Sequence, residues 1–214
     1  MPVFSPGLFT FLTELRDHNE KEWFTANKAR FDAEVKGAMN TFVRDFAPRL
    51  AEIDADARCD ERSVFRIYRD TRFSKDKSPY KTHMAAQFTR EGRGPSAAGY
   101  YLHLEPGNIF FAAGVWMVET PIATRIRTSI DSQPDRWLGA RAQAGQMMEG
   151  ESLKRVPAPW TADHPLADDL RRKNWCASVR FTEAEVLGDD FVERVGAATL
   201  QMRPLVRFLD EATG

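Results

Sequence analysis

Apolar residues recur at helical spacing over the first fifty positions, give way to short alternating runs, and return to helical spacing through most of the second half. Leu8, Phe9, Phe11, Leu12 and Leu15 form one helical face behind Ser5-Pro6, which reads as an N-cap followed by a first-turn proline. Asn19, with Glu22 three residues on, reads as a capping box that opens a second helix. Trp23, Phe24, Phe31, Val35, Met39, Phe42, Val43, Phe46 and Leu50 keep the helical period, predicting one long helix or two joined end to end. Gly37 and Pro48 are its expected weak points, because glycine costs backbone entropy and proline removes a donor.

After Asp60 the pattern changes. Ser63 to Asp70, His83 to Thr89, Tyr100 to Glu105 and Ile109 to Met117 are rich in aromatic and branched residues and read as short strands. Turn signals separate them at Lys77-Ser78-Pro79, Gly92 to Pro95 and Glu105-Pro106-Gly107-Asn108. Connections this short favour antiparallel pairing. Helical patterning resumes from Pro121 to Ile130, Pro134 to Met148 and Pro165 to Arg172, with one more strand over Asn174 to Phe181. Thr182 and Glu185 form a capping box before a last helix from about Asp190 to Glu211. The expected fold class is α+β. A mainly antiparallel sheet (strands within about 63–117 and 174–181) packs against long N-terminal and C-terminal helices, in a single domain over 1–214.

Composition narrows the function less than the fold. With 43% hydrophobic and 29% charged residues the chain is an ordinary globular one, and its formal charge of -1 exerts no global pull on nucleic acid or acidic membranes. Cys59 and Cys176 lack any CxxC or Cys/His spacing, so neither a disulfide framework nor a zinc site is expected. Met1 to Leu15 has no basic leader, and no run reaches the roughly 20 apolar residues that span a bilayer. The expectation is a cytoplasmic protein with free thiols and no membrane partner. His18, His83 and His164 have no metal-ligand spacing, and GxSxG, P-loop and GxGxxG motifs are absent, so neither metal nor cofactor is expected. Of the five tryptophans, Trp160 behind two prolines is the one marked as a candidate ligand or partner contact.

The segment from Arg62 to Arg93 departs from this balance, with nine basic residues against three acidic ones and a net of +6. Its dense part holds Arg66, Arg69, Arg72, Lys75, Lys77, Tyr80 and Lys81, the candidate ligand-binding residues. Guanidinium forks and lysine charges suit phosphate or carboxylate. The leading expectation is a binding domain for such an anionic small molecule, with catalysis left open. One alternative is nucleic-acid binding by the same segment, with Tyr68, Phe73 and Tyr80 for stacking. Another is an ion-pair network without a ligand, in which Arg69 and Arg72 pair with Asp70. Oligomeric state is open.

Strand alternation adds a second candidate. Tyr101, His103 and Glu105 should share one face of their strand, and Arg66, Tyr68 and Asp70 one face of theirs. Were both on the same side of the sheet, Asp70, His103 and Glu105 would be the candidate catalytic residues, a histidine beside carboxylates being suited to proton transfer near neutral pH.

The run from Phe65 to Lys81, Tyr100-Tyr101-Leu102-His103 and Asn19-Glu20-Lys21-Glu22-Trp23-Phe24 resembles the domain-of-unknown-function 2461 family, which is mostly bacterial. Leu153-Lys154-Arg155-Val156-Pro157, His164-Pro165 and Leu170-Arg171-Arg172-Lys173 fit the same pattern, so the resemblance runs from Phe4 to about Leu209. One departure follows Trp116, where Met117-Val118-Glu119 precede Pro121 and the family usually has a proline close behind the tryptophan. The resemblance implies no activity, and no catalytic residue is carried over from it.

Overall fold

The computed structural model describes residues 1–90 and 97–214; the turn expected at Gly92 to Pro95 lies outside them. In chain order come α1 (Gly7–Asp17), α2 (Lys21–Ala26), α3 (Lys28–Arg30), a π-helical segment (Phe31–Lys36), α4 (Gly37–Ile53) and a 3-10 turn (Glu61–Ser63). Strands β1 (Met84–Thr89), β2 (Gly99–Glu105) and β3 (Asn108–Val115) follow, then α5 (Thr120–Ser132), α6 (Pro134–Ala144) and α7 (Ala167–Arg171). β4 (Trp175–Phe181), α8 (Glu183–Val186) and α9 (Phe191–Thr213) complete the chain. The strands form one antiparallel sheet in the order β1-β2-β3-β4, and the fold class is α+β. The chain folds as two compact units.

The first unit comprises Met1–Phe88, Tyr101–Phe111 and Arg180–Ala197. The apolar face of α1 is buried as its spacing requires, but Ser5 contributes only its carbonyl, accepting from the Leu8 amide at 3.1 Å, and makes no side-chain cap. The capping box at Asn19 does not form either. Helix α2 starts at Lys21 without a side-chain cap, because Asn19 is used elsewhere. The long helical pattern is interrupted at the π-helical segment and not at Pro48, which α4 carries inside it. There the Gly37 amide reaches back five residues to the Asp32 carbonyl, and a β-carbon on Gly37 would lie 2.9 Å from that oxygen. An extra residue is thus taken into a widened turn. Phe4, Phe42, Phe46 and Phe191 pack as a chain of rings 5.5–5.9 Å apart, and Phe46 meets Phe88 of β1 at 5.3 Å.

The strand expected over Ser63 to Asp70 is not one. Its start is the 3-10 turn capped by Asp60, and the rest touches its neighbour only at isolated bridges, Val64 with Ala86 and Tyr68 with Tyr80. Pro79 has no amide to give back to Arg69, so the ladder cannot close there, although the Arg69 amide donates to the Pro79 carbonyl at 2.9 Å. The register also slips between the two bridges. Phe65 pairs with Ala85 but Ile67 with Lys81, so residues 82–84 stand opposite Arg66 alone. This two-residue bulge carries Thr82 and His83 out of the ladder. The turn after β2 forms as expected, with Gly107 at φ +77°.

The second unit comprises Thr89–Tyr100, Ala112–Val179 and Ala198–Gly214. Helices α5 and α6 each begin with proline in the first turn, and α6 ends at Ala144, short of the expected Met148, because Gly145 takes φ +89°. Residues 146–148 then pair with β4, the Met148 amide donating to Cys176 at 2.8 Å and the Ser178 amide to Gln146 at 3.1 Å. Strands β3 and β4 meet where only glycine fits, since a β-carbon on Gly114 (φ +132°) would lie 2.0 Å from the Trp175 carbonyl oxygen.

Trp137 and Phe208 pack at 5.4 Å in this unit's core. Next to it lies a buried cation, Arg127, which donates to the carbonyls of Leu170 (2.6 Å) and Arg172 (2.9 Å) and stacks on Trp175. Burial depresses its pKa. Asp169, also buried, accepts from Arg141 at 2.6 Å and lies 3.5 Å from Arg172. The Trp175 indole donates to the Asp169 carbonyl at 3.1 Å. Both cysteines are free; Cys59 faces the Val43 carbonyl and Cys176 that of Val115. Among the described residues no helix is long and apolar enough to cross a membrane.

Candidate functional site

The polar face of β2 carries a hydrogen-bonded chain. The Tyr101 hydroxyl lies 3.1 Å from Nδ1 of His103, and Nε2 of His103 lies 3.3 Å from Oε2 of Glu105. Glu105 also accepts from the Thr82 hydroxyl and the Asn108 amide, each at 3.1 Å. The opposite face of the strand, Tyr100, Leu102 and Leu104, is buried in the core, which sets the register. A carboxylate only accepts, so Nε2 of His103 carries the ring proton and Nδ1 accepts from the Tyr101 O–H. His103 is itself buried, stacked on Phe110 at 4.7 Å and 4.4 Å from the ring of His83, which the bulge brings in.

The surroundings hold this chain in one protonation state at neutral pH. Burial lowers the pKa of His103, partly offset by its hydrogen bond to Glu105. Burial, helped by the facing His103, pushes His83 down to about 4. Tyr101 is pushed up to about 12, first by burial and then by the Glu105 charge. Burial would raise Glu105, but the hydrogen bonds from Asn108, His103 and Thr82 outweigh it and hold its pKa below the usual value. The set is therefore carboxylate, neutral imidazole and neutral phenol. A proton leaving the phenol would pass to an imidazole already oriented by a carboxylate, the geometry of an acid–base relay.

Two of the basic residues, Lys81 and Arg66, lie close to each other beside the bulge. Lys81 precedes the bulge, donates to the Arg66 carbonyl at 2.9 Å and lies over the ring of Phe65, whose other neighbour is Tyr101 at 6.2 Å. Burial and then the Arg66 charge lower its pKa, and its own charge depresses that of His83. Arg69, Arg72 and Lys77 are engaged with their own loop. Arg69 pairs with Asp76 and donates to the Ser78 carbonyl at 3.1 Å. Asp76 is lowered to about 2, first by the Ser78 hydroxyl and amide and then by Arg69. Arg72 pairs with Asp70 at 2.7 Å, and Lys77 donates to the Thr71 carbonyl at 2.9 Å. Tyr80 is buried and stacked on Phe24 at 4.1 Å, and its backbone amide and carbonyl are both held by the side chain of Asn19 at 3.0 and 2.9 Å. Lys75 is exposed. Asp70 stays with Arg72 on the exposed loop, so of the three candidate catalytic residues the fold joins only His103 and Glu105.

The family model for the conserved hypothetical protein DUF2461 matches residues 7–208. The chain belongs to this family. Neither curated proteins nor solved structures give a match.

In this DUF2461 chain the residues that sequence reasoning missed are Thr82, His83, Asn108, Phe110 and the part Tyr101 plays in the relay. His83 and Thr82 reach the cluster through the bulge, and no spacing rule announces a bulge. Asn108 and Phe110 depend on the pairing of β2 with β3, for which the Pro106-Gly107 turn was the available signal. Trp160 is tied to Asp131 together with His164, whose Nε2 lies 3.1 Å from that carboxylate, so it anchors its own loop. Among the described residues no group of three or more His, Cys, Asp or Glu side chains converges to hold a metal ion. A cleft of about 430 Å³ lined by Phe4, Ser5, Glu34, Gly37 and Thr41 among others contains none of the candidate residues.

Proposed function

We propose that this domain binds a phosphate- or carboxylate-bearing ligand beside Arg66 and Lys81 and transfers a proton at the Tyr101 hydroxyl. The observation that carries the reading is the chain Tyr101–His103–Glu105, with the Lys81 charge acting on His83, whose ring lies 4.4 Å from His103. Lys81 and Arg66 repel each other, and an anion between them relieves that repulsion. His103 takes or returns the phenol proton, and Glu105 stabilises the imidazolium that forms. The Tyr101 hydroxyl supplies the reacting oxygen, and His83, neutral at pH 7, adds no competing charge. Arg69 and Lys77 act in this reading as braces for the loop. The free thiols of Cys59 and Cys176 support a reducing compartment, the cytoplasm.

The test is thermal shift against inorganic phosphate, citrate and nucleotides, with Lys81→Ala and Tyr101→Phe alongside the wild type. A ligand of the native state raises the melting temperature of the wild type. Lys81→Ala should lose that rise, whereas Tyr101→Phe should keep it, because the phenol handles a proton and not the anion. No rise with any anion, or an undiminished rise in Lys81→Ala, overturns the assignment.

A further inference from the structure

The loop beyond the cation pair has a feature that the proton relay does not use. Phe73 at its tip is 96% exposed, and Tyr68 and Phe65 are 56% and 39% exposed. Cations alternate with these rings. From Arg66 to Lys81 there are six basic residues and two acidic ones, a net of +4 in a chain whose total is -1. The loop that presents Phe73 is braced from within. Asp76 accepts from the Ser78 amide and hydroxyl at 2.9 and 2.6 Å and pairs with Arg69, and Lys77 ties back to the Thr71 carbonyl. Arg72 lies 5.8 Å from the Phe73 ring.

We infer that this loop is a contact surface for single-stranded nucleic acid, with bases stacking on Phe73 and Tyr68 and phosphates meeting Arg66, Arg72, Lys75 and Lys77. Exposed rings accept any base by its face, and interleaved cations track the backbone between successive bases. Duplex DNA fits less well, because a paired base offers no free face to a ring on a loop. A membrane fits less well too. The tip is a single phenylalanine followed by Ser74, with Asp70 and Asp76 in the same loop, and so lacks the apolar cluster and uniform positive charge that an acidic bilayer rewards. This surface does not depend on the proton relay, since Phe73, Tyr68 and Lys75 take no part in it.

Fluorescence anisotropy of fluorescein-labelled oligo-dT and oligo-U with the whole chain tests the inference. Four phosphate contacts predict affinity falling about 50-fold between about 50 and 200 mM salt. Phe73→Ala should weaken binding about tenfold at fixed salt, the loss of one stacked base. Lys75→Ala should reduce the slope of log affinity against log salt by about 0.7. A melting curve checks that each variant is folded. The inference is overturned if neither oligonucleotide binds at low salt, if Phe73→Ala binds as tightly as wild type, or if a duplex of the same length binds equally well. Phe73-dependent binding to phosphatidylserine vesicles, without oligonucleotide binding, would replace it with a membrane contact. Because Lys81→Ala decides the small-anion site and Phe73→Ala decides this one, either reading can fail alone.

Discussion

Each unit contains a cluster of polar side chains packed among aromatic rings, and the two clusters differ in where their hydrogen bonds end. Around Arg127 the donors end on protein acceptors, the carbonyls of Leu170 and Arg172, while Asp169 is taken by Arg141 and Arg172. Around His103 the chain runs from a hydrogen-bonded carboxylate through the imidazole to the hydroxyl of Tyr101, a part-buried residue. Buried charge alone is weak evidence of a site, since structural ion pairs perturb pKa values too. Arg127 is a desolvated ion whose hydrogen bonds go to backbone carbonyls. What separates the clusters is where they end: Arg127 donates to backbone carbonyls, whereas the His103 chain ends on a side-chain hydroxyl.

The sharpest way to break that distinction is to remove one carboxylate from each. Asp169→Ala takes away a buried acceptor and leaves Arg141 and Arg172 without it, so urea unfolding should show a loss of about 3 kcal/mol. Glu105→Gln removes the charge and turns one of its two acceptor oxygens into a donor, which the Thr82 hydroxyl can meet by accepting, so it should cost about 1 kcal/mol. Equal losses would mean that the His103 chain is as structural as the other.

A smaller effect, specific to the His103 cluster, is its response to acid. His83 is held at about 4 in the folded protein against an ordinary value of 6.5, so between those pH values the unfolded chain binds more protons than the folded one. Stability should fall as pH drops from about 6.5 towards 4, by at most about 1.4 kcal/mol per pH unit from this group. His103, lowered in the same direction, adds to the slope. Glu105 is lowered from 4.5, so the stability it contributes is present above that value and is lost only as the pH falls below it. The groups facing His83 are His103, Glu105 and Lys81. Urea melts at a series of pH values should give a shallower slope between pH 6.5 and 4.5 for His83→Gln than for wild type. An unchanged slope would remove His83 from the cluster's electrostatics.

The same contrast explains what could be read in advance. Helices α1, α5 and α9, strands β1 to β4 and the Thr182–Glu185 capping box were legible because each is written in local spacing, apolar period or cap residues. The face shared by Tyr101, His103 and Glu105 followed from alternation along one strand. Asn19 was misread because a capping-box pattern says nothing about a partner 61 residues away, whose backbone it holds. The segment 63–70 looked like a strand because its side chains suit one, while the lack of a Pro79 amide and the bulge at 82–84 decided otherwise. Arg127 and Asp169 carried no signal at all, since a lone arginine on a helix is ordinarily a surface residue.

The smallest expected effect concerns the pair that sequence reasoning weighed as a structural network. Arg72 and Asp70 make a bidentate contact, yet both are largely exposed, where such pairs are screened and contribute little. Arg72→Ala should leave the melting temperature of the whole chain unchanged at physiological salt, while Arg69→Ala, which loses both Asp76 and the Ser78 carbonyl, should lower it slightly. The order matters more than the size. If Arg72→Ala destabilises the protein as much as Arg69→Ala, the loop is a cooperative ion-pair network whose charges serve the fold. If it leaves the fold untouched, Arg72 is held only by a contact that a phosphate can displace, and its charge is available to a partner.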